Sequence, residues 1–340
     1  MIDGGPLIVT LQRRAGRVRA LLDAPPKAAL TRLMEGRTAT EAARMAGLMG
    51  ESCPLAHEAA ARAAFGLAVE PDCPRAMAAE ALRQHLNSIF TRWPAALGLP
   101  AGAPPDAAAP PADIALALFG PGGAPDCVDA FEDWLDQAEV APAAVLRRVW
   151  RRWDSRWGRA DLRLWRVGEP FADIDWAEAE IDGEPVETGV AARLAREGLL
   201  RGIEARRGRG LAWRLAARLV DCRRLLDGLG GRGPLDSAVA LSPGIGAAPS
   251  ASGVILAYGA LSRDRVEAFE QLTPTDAALH PRGALRRMLD RVPMRANAPV
   301  AAVTAMTLEA LDPRVACRIA WADGPARPRR AAPPGPAERR

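Results

Sequence analysis

Two short stretches hold the residues best placed for chemistry. The first is Gly50-Glu51-Ser52-Cys53-Pro54-Leu55-Ala56-His57. The second is Leu311-Asp312-Pro313-Arg314-Val315-Ala316-Cys317-Arg318-Ile319-Ala320. Cys53 and His57 are four residues apart, so on a helix they share a face. A thiolate and an imidazole on one face are good ligands for a transition metal. The plainer reading of the same pair is a small buried thiol beside a histidine at a helix start. His85, by contrast, has no acidic or thiol partner nearby in sequence and reads as a core or boundary histidine.

Those residues need a scaffold, and 340 residues can bury a large core. Hydrophobic residues make up 49% of the chain, so most of it is expected to fold. The five cysteines (53, 73, 127, 222 and 317) are odd in number and widely spaced, which points to free thiols in a reducing compartment rather than a disulfide framework. The N-terminus has no basic region followed by an apolar run, so no signal peptide is expected. Residues 237–262 are uncharged and long enough to span a bilayer, but Pro243, Pro249 and clustered Gly and Ser make them strand-and-turn material. The expectation is a cytoplasmic protein without membrane insertion. Net charge is +4, yet the segment from Asp323 onward carries five arginines against two acidic residues. The rest is close to neutral, so basicity gives no reason to expect nucleic acid.

Patterning places the elements. Residues 7–22 read as two strands around a turn at Arg14–Arg17. A short helix follows at Leu30–Met34, ending near Gly36; Thr38 or Thr40 caps the next, which leads into the Cys53 stretch. Alanine-rich 57–69 and apolar-periodic 75–97 read as helices. Loops are expected at 101–112 and 120–126, both rich in Pro or Gly. An acidic helix near 129–139 precedes a basic one after Pro142. The basic helix sets Val149, Trp150, Trp153 and Trp157 on one side and Arg147, Arg148, Arg151, Arg152 and Arg156 largely on the other. That helix is either a Trp-filled core face with solvated arginines or a nucleic-acid or acidic-partner surface. Strand-like alternation at 160–181, helix over 189–228 with a break at Gly208-Arg209-Gly210, and strands at 253–258 and 266–269 come next. Short helices at 283–291 and 299–310 lead to the second stretch. The tail 323–340 is Pro, Ala and Arg, a composition expected to be disordered, leaving 1–322 as one domain.

In this order the pieces resemble the large subunit of nickel–iron hydrogenases and, more closely, its degenerate relatives, the HupK-type hydrogenase expression/formation proteins. The residues that carry the resemblance are Leu33-Met34-Glu35-Gly36-Arg37, Cys53-Pro54-Leu55-Ala56-His57 and Arg214-Leu215-Ala216-Ala217-Arg218. They continue with Gly253-Val254-Ile255-Leu256, Thr273-Pro274-Thr275, His280-Pro281-Arg282-Gly283 and Leu311-Asp312-Pro313 with Cys317. The resemblance implies an α+β, mainly α fold of large-subunit type, with a long-helix core and small antiparallel sheets.

The departures are informative. In the enzymes each motif is Cys-x-x-Cys, its first cysteine binding nickel alone and its second bridging nickel to iron. Here Gly50 and Arg314 stand at the two nickel-only positions, while Cys53 and Cys317 keep the bridging ones. The histidine closing the late motif is Ala320. The arginine that reaches a cyanide of the iron fragment is Ser252, although Thr275 keeps a hydroxyl at the other cyanide-contacting loop. The resemblance therefore implies a non-enzymatic accessory of hydrogenase maturation, with Cys53 and Cys317 holding or passing an iron–cyanide–carbonyl fragment in one shared pocket. His57, Thr275, Ser252 and Arg314 would support them. Nickel is not expected, because a glycine and a guanidinium supply no ligand. Arg314, three residues from Cys317, is expected to lower that thiol's pKa. Implied partners are the maturation chaperones and the hydrogenase large-subunit precursor. The alternatives are a metal-free structural or regulatory protein that occupies chaperones, and a residual redox enzyme.

Overall fold

The computed structural model describes residues 5–14, 17–27, 29–50, 52–292 and 299–322. Its centre is the helix Leu211–Leu229, buried on nearly every side, with Trp213, Leu215, Ala216, Ala217 and Leu219 in the core. A helix buried all round is normally apolar, yet this one also buries Arg214, Arg218 and Asp221. Each is paired, as burial of charge requires. Arg214 forks onto Glu187 at 2.9 and 2.7 Å and donates to the Ala160 carbonyl at 3.0 Å. Arg218 pairs with Asp312 of the second motif stretch, and Asp221 pairs with Arg193. The region expected as helix over 189–228 with a break at Gly208-Arg209-Gly210 is three helices, Val190–Arg193, Gly198–Arg207 and Leu211–Leu229; the expected break separates the last two, and a further one lies between Arg193 and Gly198. Gly208 at φ +72° ends the second of them, a conformation few other residues adopt.

Three small sheets surround the helices. In the first, Leu7–Arg14 lies between Arg17–Asp23, antiparallel to it, and Cys317–Ala322, parallel to it with Leu7 opposite Cys317. The C-terminal strand was not evident in the sequence. The expected hairpin is present, though its turn residues Ala15 and Gly16 lie outside the described residues, as does the tail 323–340. The second sheet is an antiparallel meander, Val239–Ser242, Ile245–Ser250, Gly253–Ser262 and Arg265–Leu272. The third, where strands were expected at 160–181, has only short pairings among Arg163–Leu164, Ile174–Asp175, Glu180–Ile181 and Glu184–Glu187. Among the described residues no helix is long and apolar enough to cross a membrane.

The basic helix runs Ala141–Arg152 and stops at Trp153, so Trp157 lies beyond it. Trp150 and Trp153 are buried. Arg147 donates to the Leu135 and Ala138 carbonyls, and Arg151 pairs with Asp136. Its apolar face is core, and two of its arginines are engaged within the chain.

Two elements fix the first motif. Thr38 and Glu41 close a capping box on the helix Ala39–Met49, which delivers the chain to Gly50. The next helix, Pro54–Ala64, is shorter than the expected 57–69 and packs directly on the meander. A Cβ at Gly246 would sit 2.4 Å from the Ala60 carbonyl oxygen, so only glycine there and alanine on the helix permit the approach. The predicted 75–97 helix is Cys73–Asn87, a wider π turn at Ser88–Arg92, and a short helix Trp93–Ala96. Such turns re-aim the side chains they carry, and this one ends on Arg92.

Candidate functional site

Cys53 precedes the first turn of the helix Pro54–Ala64, with Pro54 at its first position. No side chain caps that helix from Cys53. Instead Glu80, buried on the helix Cys73–Asn87, accepts from Leu55 N–H at 3.2 Å, placing negative charge at a helix N-terminus where it is favoured. One turn further along, Gln84 donates to the Ser52 carbonyl at 2.9 Å and accepts from Arg314 Nη1 at 3.0 Å. Gln84 thus ties the two motif stretches together, and nothing local in the sequence marks it.

The second stretch is organised by Asp312. It ends the helix Val300–Leu311 in the left-handed region, at φ +50°, a conformation Asp tolerates better than most side chains. Its carboxylate is buried among three guanidiniums: Arg92 Nη2 at 2.8 Å, Arg314 Nη2 at 2.7 Å and Arg218 Nη2 at 3.1 Å. Burial alone would raise its pKa, but Arg218, Arg314 and Arg92 together hold the carboxyl far below the usual range. Arg92 also pairs with Glu309 at 3.4 Å. Arg314 N–H donates to Thr275 Oγ1 at 3.1 Å, so the retained hydroxyl anchors the motif backbone.

Behind this hub runs a buried polar chain. His85 Nε2 donates to Asp221 at 2.8 Å, and its Nδ1 accepts from Arg218 at 3.3 Å. Asp221 is also paired with Arg193. The partner missing near His85 in sequence is thus supplied from 136 residues away. Burial keeps this imidazole's pKa below its ordinary value.

The two retained cysteines differ in setting. Cys53 is 2% exposed, in a cluster with Ala56, Ala60 and Ala251. Burial raises its pKa, opposed by Arg314 and by the Ala251 N–H that donates to its sulfur. Cys317 begins the exposed strand Cys317–Ala322 and lines a cleft of about 390 Å³ with Arg92, Glu309, Asp312, Pro313 and Val315. Cys53 is not among the walls of that cleft. Although Cys317 as a residue is exposed, its sulfur is partly buried and donates to the Val315 carbonyl at 3.2 Å. That partial burial, with Glu309 and Asp312 nearby, pushes the thiol up to about 11 against the pull of Arg92. The expectation that Arg314 lowers the Cys317 pKa is therefore corrected: Arg314 acts on Cys53, because its guanidinium turns back toward Gln84 and Asp312.

His57 Nδ1 donates to Gln271 Oε1 at 2.9 Å, and Gln271 Nε2 donates back to the His57 carbonyl at 3.3 Å. Its pKa is lowered by burial. Ser252 is buried, bonds Ser250 Oγ at 3.1 Å, and lines a small cavity with Thr188 and Arg218. Among the described residues no cluster of three or more His, Cys, Asp or Glu side chains is placed to hold a metal ion. Two thiols suit only a metal that brings further ligands of its own.

The chain is 30% identical to the hydrogenase expression/formation protein HupK of Rhodobacter capsulatus, over 92% of this chain and 96% of that one. No family model matches it. Among solved structures, it is similar to the Ni-Fe-Se hydrogenase of Desulfovibrio vulgaris Hildenborough, with a TM-score of 0.55 at 15% identity, over 88% of this chain and 94% of that one. The corresponding enzyme of Desulfomicrobium baculatum gives 0.52 at 11% identity, over 89% and 95%. These two likenesses identify the fold as the hydrogenase large-subunit type.

Proposed function

The chain belongs to the HupK-type hydrogenase expression/formation proteins, and from that premise we propose that it carries an iron–cyanide–carbonyl fragment on Cys53 and Cys317 during hydrogenase maturation. The observation that supports this most is the tie between the two motif stretches. Gln84 bridges Ser52 and Arg314, and Arg314 shares the Asp312 carboxylate with Arg92 and Arg218. The fragment is cargo, and its own diatomic ligands complete a coordination sphere that two thiolates cannot.

The chain's residues would act in defined ways. Both thiols must lose a proton to bind metal, and both are held protonated by their surroundings. Arg314 beside Cys53 and Arg92 beside Cys317 each stabilise a thiolate once it forms. The same guanidiniums favour an anionic cargo over a bare cation. Maturation chaperones and the large-subunit precursor are the partners this role requires, and the protein itself would catalyse no reaction.

A metal-free role, in which the large-subunit shape occupies chaperones, has its own support in the raised thiol pKa values and in the lack of a third ligand among the described residues. One experiment separates the readings. Isolated without oxygen from hydrogenase-producing cells, the protein is expected to contain iron, little nickel, and infrared bands of bound cyanide and carbon monoxide. Cys53→Ser and Cys317→Ser should each abolish those bands, since a hydroxyl is a poor replacement for a soft thiolate. Wild-type protein without such bands, together with serine variants that still support maturation, would establish the metal-free role instead.

A further inference from the structure

Another cleft, of about 600 Å³, is built from none of the residues of the two motif stretches. Its volume falls within the range of about 300–1,000 Å³ typical of ligand pockets. Leu194, Leu235, Val239, Pro249 and Val254 give it apolar walls, while four arginines (166, 193, 196 and 224) stand against three carboxylates (169, 197 and 236). Two of the arginines converge on one carboxylate. Arg193 Nη1 donates to Asp236 Oδ2 at 2.9 Å, and Arg224 Nη2 pairs with Asp236 Oδ1 at 3.4 Å. Both are also held from behind. Arg193 Nη2 donates to the buried Asp221 at 2.6 Å, and Arg224 Nη1 donates to Glu197 at 2.8 Å. The two guanidiniums are therefore in place with or without Asp236, and such preorganisation lowers the cost of taking another carboxylate. Asp236 itself is 42% exposed and follows the glycine-rich run Gly230-Gly231-Arg232-Gly233. Arg193 Nε is buried with no hydrogen-bond partner among the described residues.

We propose that this cleft binds the C-terminal end of a partner polypeptide. The terminal carboxylate takes the place of Asp236 between Arg193 and Arg224, and the last side chain, an apolar one, lies against Leu194 and Val254. A chain end suits the site because it carries a carboxylate and an apolar side chain on one carbon, so a single residue meets both kinds of wall. An Asp or Glu side chain brings the charge without the apolar group. The planar fork of arginine matches a carboxylate with two parallel bonds, which a single point charge does not. Asp236 is then a built-in competitor that fills the arginine pair when no partner is present. This role goes beyond carrying a metal fragment and does not depend on it.

The test uses the full chain and a Gly-Ala-Ala-Leu peptide labelled with fluorescein at its N-terminus, followed by fluorescence anisotropy at low salt. Saturable binding is expected for the peptide with a free C-terminus and is lost when that end is amidated. Asp236→Asn removes the competitor, so it should tighten binding about tenfold if Asp236 fills the pair most of the time. Arg224→Gln removes one arm of the pair and should weaken binding about tenfold. Urea midpoints of both variants report that the fold is kept, as expected for side chains 42% and 35% exposed. Equal binding of the amidated peptide, no saturable binding up to about 1 mM, or Asp236→Asn binding no better than wild type overturns the proposal. N-acetyl-leucine competing as well as the peptide would assign the site to small free acids and overturn the polypeptide as occupant. If Asp236→Asn fails to fold, Arg224→Gln and the amidated peptide decide.

Discussion

The Cys53 and Cys317 ends of the site are built in opposite ways. Cys53 sits in the core, at the head of an alanine-rich helix pressed onto a sheet, with its neighbours fixed by Glu80, Gln84 and Gln271. Cys317 opens a strand that pairs on one side only and is exposed almost throughout, including Ile319 and Trp321. Each has its own guanidinium, Arg314 for Cys53 and Arg92 for Cys317, and Asp312 serves both. The difference teaches a division of labour. Under the proposed carrier role, the buried side would be the fixed template and the side open to solvent would be where cargo or partner arrives.

The largest effect should come from the group the two sides share. Asp312→Ala takes from the buried Arg218 and Arg314 the carboxylate each is paired with. Breaking a buried ion pair from one partner costs about 3–5 kcal/mol, so a marked fall in urea midpoint is expected. A change under about 1 kcal/mol would mean that the two sides do not depend on a common anchor. Acid should attack the polar chain behind this anchor. His85 is held neutral, its folded pKa below its unfolded one, so its contribution is full above the ordinary value of about 6.5 and declines as pH falls below it. Asp221 follows later. Burial opposes its ionisation, but Arg193 and His85 bring it to about 2, so its share is full above about 4 and is lost as pH falls through about 2. Urea midpoints flat between pH 7 and pH 5 would contradict the buried neutral histidine.

The next contrast is direct. Cys53→Ser buries a hydroxyl in an apolar cluster and should cost about 1–3 kcal/mol. Cys317→Ser, on an exposed strand, should stay within about 0.5 kcal/mol. Denaturant melts of the two variants check this, and equal costs would erase the distinction between template and open side.

Several of the elements that frame the candidate site were legible locally, while its wiring was not. The Thr38 cap, the hairpin strands and the buried face of Trp150 and Trp153 follow from short-range pattern, because caps, turns and apolar stripes are short-range physics, whereas the pairing of the two motif stretches came from the family resemblance. Arg92, Arg218, Gln84 and Gln271 carry no such mark. They act through partners far along the chain, such as Asp312 and Ser52, and a lone polar residue in a helix or strand reads as solvated until its partner is placed. The π turn that aims Arg92 and the pairing of Cys317–Ala322 with Leu7–Arg14 escaped for the same reason. Arg314 was seen, but its direction was misjudged, because sequence proximity to Cys317 counted for less than the pull of Asp312 and Gln84.

The smallest and most discriminating effect lies in thiol reactivity. Iodoacetamide labelling of the folded protein, read peptide by peptide, should modify Cys317 well before Cys53, which must wait for local opening. Because the Cys317 thiol sits near 11, its labelling rate should climb about tenfold per pH unit from pH 7 to about 10, as the thiolate fraction does. A plateau near pH 8 would show that neither burial nor the carboxylates of Glu309 and Asp312 raise this thiol. The two guanidiniums then separate the sides. Arg92→Gln removes the cation that favours the Cys317 thiolate and should slow labelling there several-fold at pH 8. It should leave Cys53 unchanged in denaturant-free buffer, where opening limits the rate. Arg314→Gln should do nothing to Cys317, despite lying three residues away in sequence, because its guanidinium faces the other thiol. If Arg314→Gln slows Cys317 as much as Arg92→Gln does, the pairing of one arginine with each cysteine is wrong.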